Sequence, residues 1–379
     1  MNKVKSIFIP TPHLVSCLAF SFDGRQLAAA SHRGAIRVFD LNAKQESSNT
    51  YWIDATSILG LAFTRDGTKI VCATDASNVI VKSLVADQTV QQLRGHTDSI
   101  VQVLMSPTDG NCTLASASLD TMIRIWNLDS GDCLRVLQGH AKLIRCISFS
   151  RDGSQLASGS DDGTVRLWNV GSDACQVLRV PNAIQINTIK LAKTSLLTLT
   201  VDRQTNDYRD DHPYSIRIWD IASKECLCNT PAARNTAFAF SNDGKSYSVS
   251  NASGDSIGCS ASVFATRTNQ CISTMHGHSR IVRSIVFSLC GNSVATTSDD
   301  KTIAIWSLID FVGLCQIVLP MLESGVAPYV ALDIVDFLLA AAATHASFAS
   351  RSEFMHFRKI SVVDALRQRM KEKLVLSRE

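Results

Sequence analysis

A chain of 379 residues with 45% hydrophobic and 19% charged side chains has the length of two or three ordinary domains and enough apolar content for a large core. Its formal charge of +3 is weak evidence against a dedicated nucleic-acid surface. The apolar stretch before Pro10 is too short for a signal-peptide core, and the longest uncharged apolar run, 337–349, is shorter than the roughly 18–20 residues of a membrane span, so a soluble intracellular protein is expected.

The chain opens with a short apolar strand, KSIFIP at 5–10, and then repeats itself. "AIRVFDL" ends at a slot holding Phe39, and "VIVKSL" places Lys82 in the same slot. "LASASLDTMIRIWNL", "LASGSDDGTVRLWNV" and "YSIRIWDI" place Trp126, Trp168 and Trp219 there. "ASVFAT" supplies Phe264 and "VATTSDDKTIAIWSL" supplies Trp306. The seven slots are 43, 44, 42, 51, 45 and 42 residues apart, which describes one repeating architecture instead of several domains. Within a unit, "LIRCISF", "QLASGS" and "TVRLWNV" read as strands bounded by Asp-Gly or Ser-Gly turns, and a fourth strand such as "CLRVLQ" follows the slot. The turns "SFDG", "TRDG", "SRDG" and "SNDG" recur after the first strand, where Gly permits positive φ and Asp can bond the backbone. The pattern is all-β over residues 1–309. The opening strand at 5–10 is expected to close the ring as the outer strand of the last unit, with 314–320 as its rival.

The Gly-His pairs at 95–96, 139–140 and 277–278, with the endings "IWNL", "LWNV" and "IWDI", resemble the WD40 repeat family, whose members form β-propellers of four-stranded blades. The resemblance implies a seven-bladed propeller. It also implies a hydrogen-bonded His–Ser/Thr–Asp–Trp set in three blades: His96, Ser116, Asp120 and Trp126; His140, Ser158, Asp162 and Trp168; His278, Thr296, Asp300 and Trp306. A hydrolase needs one nucleophilic triad, not three copies near a forty-residue period, so these residues are read as structural and the protein as no enzyme. A buried His and a Trp N–H each need a partner, and an unpaired one costs roughly 1–3 kcal/mol. Partner-binding positions carried over from the family fall on Ser99, Val101 and Leu119 in blade 3, Leu143, Arg145 and Asp161 in blade 4, and Ile281, Arg283 and Asp299 in blade 7. The competing reading of those nine is an ordinary solvated rim.

Other motifs carry less. Cys133, Cys175, Cys226 and Cys271 each lie seven residues after a slot, and Cys17 and Cys146 share a first-strand column, so the cysteines follow repeat phase and not metal-ligand spacing. No metal and no cofactor are expected, and no small-molecule substrate. The double-arginine signature of lipid-binding propellers is reduced to Arg94, and the Arg that ligase-docking propellers often carry three residues after Trp is replaced by Asp129, Gly171, Ala222 and Ile309. Blade 5 carries an insertion at about 202–214, which suits either a binding loop or a disordered one.

After Trp306 the period stops. In 310–379, Val330, Ile334, Phe337 and Leu338 have helical spacing. Behind the capping-box signature at 350–353, a stripe from Phe354 through Phe357, Ile360, Val363, Leu366 and Met370 to Leu374 predicts an amphipathic helix with a basic face. This small α-helical extension can pack on the propeller or on the acidic helix before it, bind a partner, or lie on a membrane surface. The expectation for the whole chain is a cytoplasmic or nuclear scaffold that binds other proteins, without nucleic acid or membrane, and is monomeric outside a complex. The alternatives are a substrate receptor of a ubiquitin-ligase-type assembly coupled through the C-terminal helices, and an RNA-associated assembly factor.

Overall fold

The computed structural model describes residues 6–308, apart from 12, 32, 42–47, 56, 109–112, 173, 192–194, 203–213, 233–236, 252–259, 267 and 290. The C-terminal extension and the blade 5 insertion therefore lie outside the described residues.

The described strands form seven four-stranded antiparallel sheets, the blades of a propeller, with no helix among the described residues. Blade 4 shows the pattern: inner strand Ile144–Phe149, then Gln155–Ser160 and Thr164–Asn169, with Cys175–Arg179 outermost. Every slot residue sits at the same register. Trp126 pairs with Leu114, Trp168 with Leu156, Trp219 with Leu196, Phe264 with Tyr247, Trp306 with Val294, Phe39 with Leu27 and Lys82 with Ile70. The recurring Asp-Gly turns work as read: Asp23 accepts from the Ser21 hydroxyl and the Arg25 amide, while Gly24 adopts φ +70°.

Each inner strand packs on the inner strand of the next blade, and that of blade 7 packs on that of blade 1. The apolar core is accordingly divided into seven clusters, one at each interface between successive blades. Alternating side chains of a blade serve the two interfaces on its flanks, because successive residues of a strand point to opposite faces. The inner strands approach closely, which explains the small residues in the first-strand column. A Cβ on Gly60 would come within 3.2 Å of the Gln102 backbone and 3.3 Å of Ala73. Cys17 and Cys146 occupy this column, and burial raises the Cys17 thiol pKa to about 12 and pushes that of Cys146 up as well.

The ring closes through the N-terminus. Ser6–Pro10 pairs antiparallel with Thr302–Ser307, with Phe8 opposite Ala304 and Pro10 opposite Thr302. Thr11 extends the ladder by donating its amide to the Lys301 carbonyl at 2.8 Å.

Candidate functional site

The loops that enter the inner strands and the turns between second and third strands lie together at one end of the propeller. In blades 3, 4 and 7 a buried polar chain ties them down. His96 Nδ1 donates to Asp120 Oδ2 at 2.7 Å, and its Nε2 accepts from the Ser116 hydroxyl at 2.7 Å. Ser116 Oγ in turn accepts from Trp126 Nε1 at 2.8 Å. Blade 4 repeats the set with His140–Asp162 at 2.9 Å, His140–Ser158 at 2.7 Å and Trp168–Ser158 at 2.8 Å. Blade 7 repeats it with His278–Asp300 at 2.9 Å, His278–Thr296 at 2.8 Å and Trp306–Thr296 at 2.8 Å.

The three aspartates also cap turns. Asp120 accepts from the Thr97 and Met122 amides, Asp162 from those of Ala141 and Thr164, and Asp300 from those of Ser279 and Thr302. Burial opposes ionisation of each carboxyl, but the bonds from the His and the amides, joined by the Thr164 hydroxyl at Asp162 and the Thr302 hydroxyl at Asp300, outweigh it and hold all three below the usual carboxylate range. Burial also pushes the His96 and His278 imidazoles below their ordinary pKa, against the pull of their aspartates. A neutral imidazole with its proton on Nδ1 fits that shift and leaves Nε2 free to accept.

Ser, His and Asp in hydrogen-bonded order have the outline of a nucleophilic triad. The geometry denies them that use. Ser116, Ser158 and Thr296 are 0% exposed, and the Trp N–H already occupies each hydroxyl oxygen. No reactant reaches them. What the chain of bonds does is fix the loop before the inner strand to the middle of the sheet.

Sequence reasoning missed three neighbours of this chain. Arg124 and Arg166 lay their guanidinium groups over Trp126 and Trp168, at 6.0 and 5.7 Å from the ring centroids. Above each stack sits the Gly of the Gly-His pair, at φ +155° for Gly95 and +156° for Gly139. A Cβ on Gly139 would stand 2.7 Å from Arg166 Nη1 and 3.2 Å from Trp168 Cη2. In blade 7 the closing strand supplies Phe8, edge-on to both His278 (5.4 Å) and Trp306 (5.6 Å). The alternation of Arg two residues before Trp was a signal for the first two, whereas Phe8 lies 298 positions from Trp306 and carried none.

The nine candidate partner-binding residues lie around these locked loops. Asp161 donates its amide to the Leu143 carbonyl, Asp299 to Ile281 and Leu119 to Ser99, each at 3.0 Å, so three equivalent trios are assembled. In blade 4, Arg145 Nε and Nη2 grip Asp161 in a two-pronged ion pair at 2.9 and 2.7 Å. Arg283 and Asp299 do the same in blade 7, at 2.9 and 2.6 Å. The pairs are partly open to solvent, with Arg145 38% and Arg283 47% exposed, and Leu143 and Ile281 are half-buried beside them. In blade 3 the trio is uncharged: Val101 and Leu119 are half-buried, and the Ser99 hydroxyl donates to the Asp75 carbonyl of blade 2. Fixed Arg–carboxylate forks beside apolar side chains are suited to recognising a protein surface. Among the described residues, no group of three or more His, Cys, Asp and Glu side chains is placed to hold a metal ion.

Comparison with known proteins agrees with the fold. The family profile described as "WD domain, G-beta repeat" matches residues 4–40, 87–127, 131–169 and 269–307. An uncharacterised WD repeat-containing protein of Synechocystis is 32% identical over 142 residues, covering 38% of this chain and 40% of that protein. Nuclear distribution protein nudF 1 of Talaromyces marneffei is 30% identical over 297 residues, covering 78% of this chain and 58% of its own length. WD repeat and SOCS box-containing protein 1 of Xenopus tropicalis is 34% identical over 91 residues, covering 23% of this chain and 21% of that protein. The chain thus spans 58% or less of the length of these three relatives. With four matched repeats, seven sheets at one register and a ring closed by its own N-terminal strand, this chain belongs to the WD40-repeat β-propellers.

Proposed function

We propose that this protein is a non-catalytic scaffold that holds another protein on the face carrying the Gly-His loops. The observation that carries the reading is the pair of exposed Arg–Asp forks in blades 4 and 7, each beside a half-buried aliphatic side chain and each mounted on a loop fixed by a buried His–Asp bond. A rigid mounting favours binding because little conformational entropy is left to lose. The site is a cytoplasmic or nuclear one in this reading, and the protein is monomeric outside its complex.

A second reading, an adaptor or substrate receptor in a ubiquitin-ligase-type assembly, draws on the SOCS box named in one relative. That similarity covers only 21% of that relative, and Asp129, Gly171 and Ala222 stand where docking propellers often carry Arg, so the scaffold reading is preferred.

Full-length protein bearing Arg145→Ala and Arg283→Ala, compared with wild type by quantitative affinity purification, tests the proposal. Specific loss of one set of partners at an unchanged melting temperature is the expected result. An unchanged partner profile contradicts it.

A further inference from the structure

The same face is electrically divided. Over blades 7 and 1 the loop side chains are mostly cationic: Arg33, Arg280, Arg283 and Lys301, against Asp299 and Asp300, the latter bound to His278. Over blades 2 and 3 they are mostly anionic: exposed Asp54 and Asp98 and half-buried Asp75, against Arg94, with Asp120 enclosed beneath them by its bond to His96. Arg94 is turned back along its own outer strand to Gln92 Oε1. Arg33, Arg280, Lys301, Asp54 and Asp98 form no ion pair among the described residues, and all five are exposed. Apolar side chains rise through blades 1 to 3: Leu14 is 43% exposed, and Leu59, Val101 and Leu119 are half-buried.

An occupant for blades 1–3 must therefore be basic and apolar on one surface, continued by an acidic part over blade 7. The chain itself contains such a segment. Residues 310–350 carry four acidic and no basic side chains, and 351–379 carry eight basic and four acidic, with the apolar stripe from Phe354 to Leu374 among them. The order also fits, since the chain leaves the propeller from blade 7 after Thr302–Ser307. That strand delivers it to the opposite face, about 20 Å away at ~3.3 Å per residue. The residues between Leu308 and Glu323 can span roughly 45 Å when extended, which suffices for the return.

We infer that residues 323–374 dock across this chain's own Gly-His face, the acidic part over blades 7 and 1 and the basic, apolar part over blades 1 to 3. The inference rests on reading that face as the working surface, and it makes the tail a competitor of any partner held there. Charge complementarity sets the direction of docking, and the apolar stripe needs cover because seven large apolar side chains are not left in water.

Carbodiimide, which joins carboxylates to lysine amines without a spacer, tests this on the full-length chain. The expected links are Lys371 or Lys373 to Asp54, Asp75 or Asp98, and Lys301 to Glu323, Asp333 or Asp336, all within one molecule in an equal mixture of isotopically light and heavy protein. Asp54→Lys with Asp98→Lys should abolish the first set and leave the melting temperature unchanged. Absence of both sets, the reverse pairing, or links only between light and heavy copies overturns the inference. Partner recovery separates it from the proposed function. Missing links with partners still lost from the Arg145 and Arg283 variant sink only the tail docking. Links present with partner recovery indifferent to those arginines sink only the scaffold face.

Discussion

In blade 4 the entry loop is bound to the sheet through His140, Ser158, Asp162 and Trp168. Blade 6 reaches the same four-stranded register with none of these among its described residues. Phe264 fills the slot and stacks on Tyr247, 5.2 Å between centroids and 16° between planes, while Phe238 and Phe240 pack edge-on nearby. Val249 occupies the register position of Ser158. Blade 2 offers a third solution, a nearly buried Lys82 whose ammonium meets Asp87 Oδ1 at 2.8 Å and the Asp87 carbonyl at 3.0 Å. A bulky group in the slot is thus enough to build a blade. The polar chain adds something else: it joins loop to sheet, and two of the three loops it fixes carry the Arg–Asp forks.

The largest effect should come from the element both kinds of blade depend on. Deleting residues 1–10 removes the outer strand of blade 7 together with buried Ile9 and the Phe8 contacts, and leaves a sheet edge open. A loss of roughly 5 kcal/mol or more is expected from the lost burial and ladder bonds, measured by guanidinium unfolding. An unchanged midpoint would mean that the ring does not need this closure.

Exchanging slot residues sharpens the comparison. Trp168→Phe keeps the ring but strips Ser158 of its donor, and should cost about 1–2 kcal/mol. Phe264→Trp should also destabilise, by about 1–3 kcal/mol, because Val249 provides no acceptor for the new N–H. If Phe264→Trp stabilises the protein, the polar chain is not what distinguishes the blades. His140→Ala and Ser158→Ala should each cost roughly 1–3 kcal/mol, and the double variant less than their sum, since both remove one bond.

Acid should act on the two classes differently. His96 and His278 titrate lower in the fold than in the unfolded chain, so the unfolded state binds their protons first. Stability is complete above their unfolded pKa near 6.5 and falls as pH drops through that value toward the folded one. Asp120, Asp162 and Asp300 add a second loss, beginning only below about pH 4, as their depressed folded values are approached. Replacing His96 and His278 with Asn should flatten the stability profile between pH 7 and 5, and a slope unchanged from wild type would contradict the assignment. The smallest effect belongs to blade 2, where Lys82→Met should alter stability by no more than about 1 kcal/mol, because a lone ion pair with an exposed partner contributes little.

The blades and their buried sets were legible because a buried polar chain demands particular residue types at a fixed phase. Trp126, Ser116 and His96 announce one another once the period is known. Closure by residues 5–10 was legible for the same reason, since an outer strand must precede each inner one. The Arg145–Asp161 and Arg283–Asp299 forks were named residue by residue but not as pairs, because their meeting depends on side-chain torsions over a turn that no spacing rule records. Blade 6 hid its stack, since Tyr247 and Phe264 read singly as ordinary strand aromatics.

In the proposed function the buried sets hold the propeller together while the face above them binds partners. One affinity-purification series below the melting temperature of every variant tests it, comparing Ser158→Ala with Arg145→Ala plus Arg283→Ala in the full-length chain. Ser158→Ala should lower stability yet recover the wild-type partners, and the arginine variant should keep its stability and lose them. Partners lost with Ser158→Ala and retained without the arginines would contradict it.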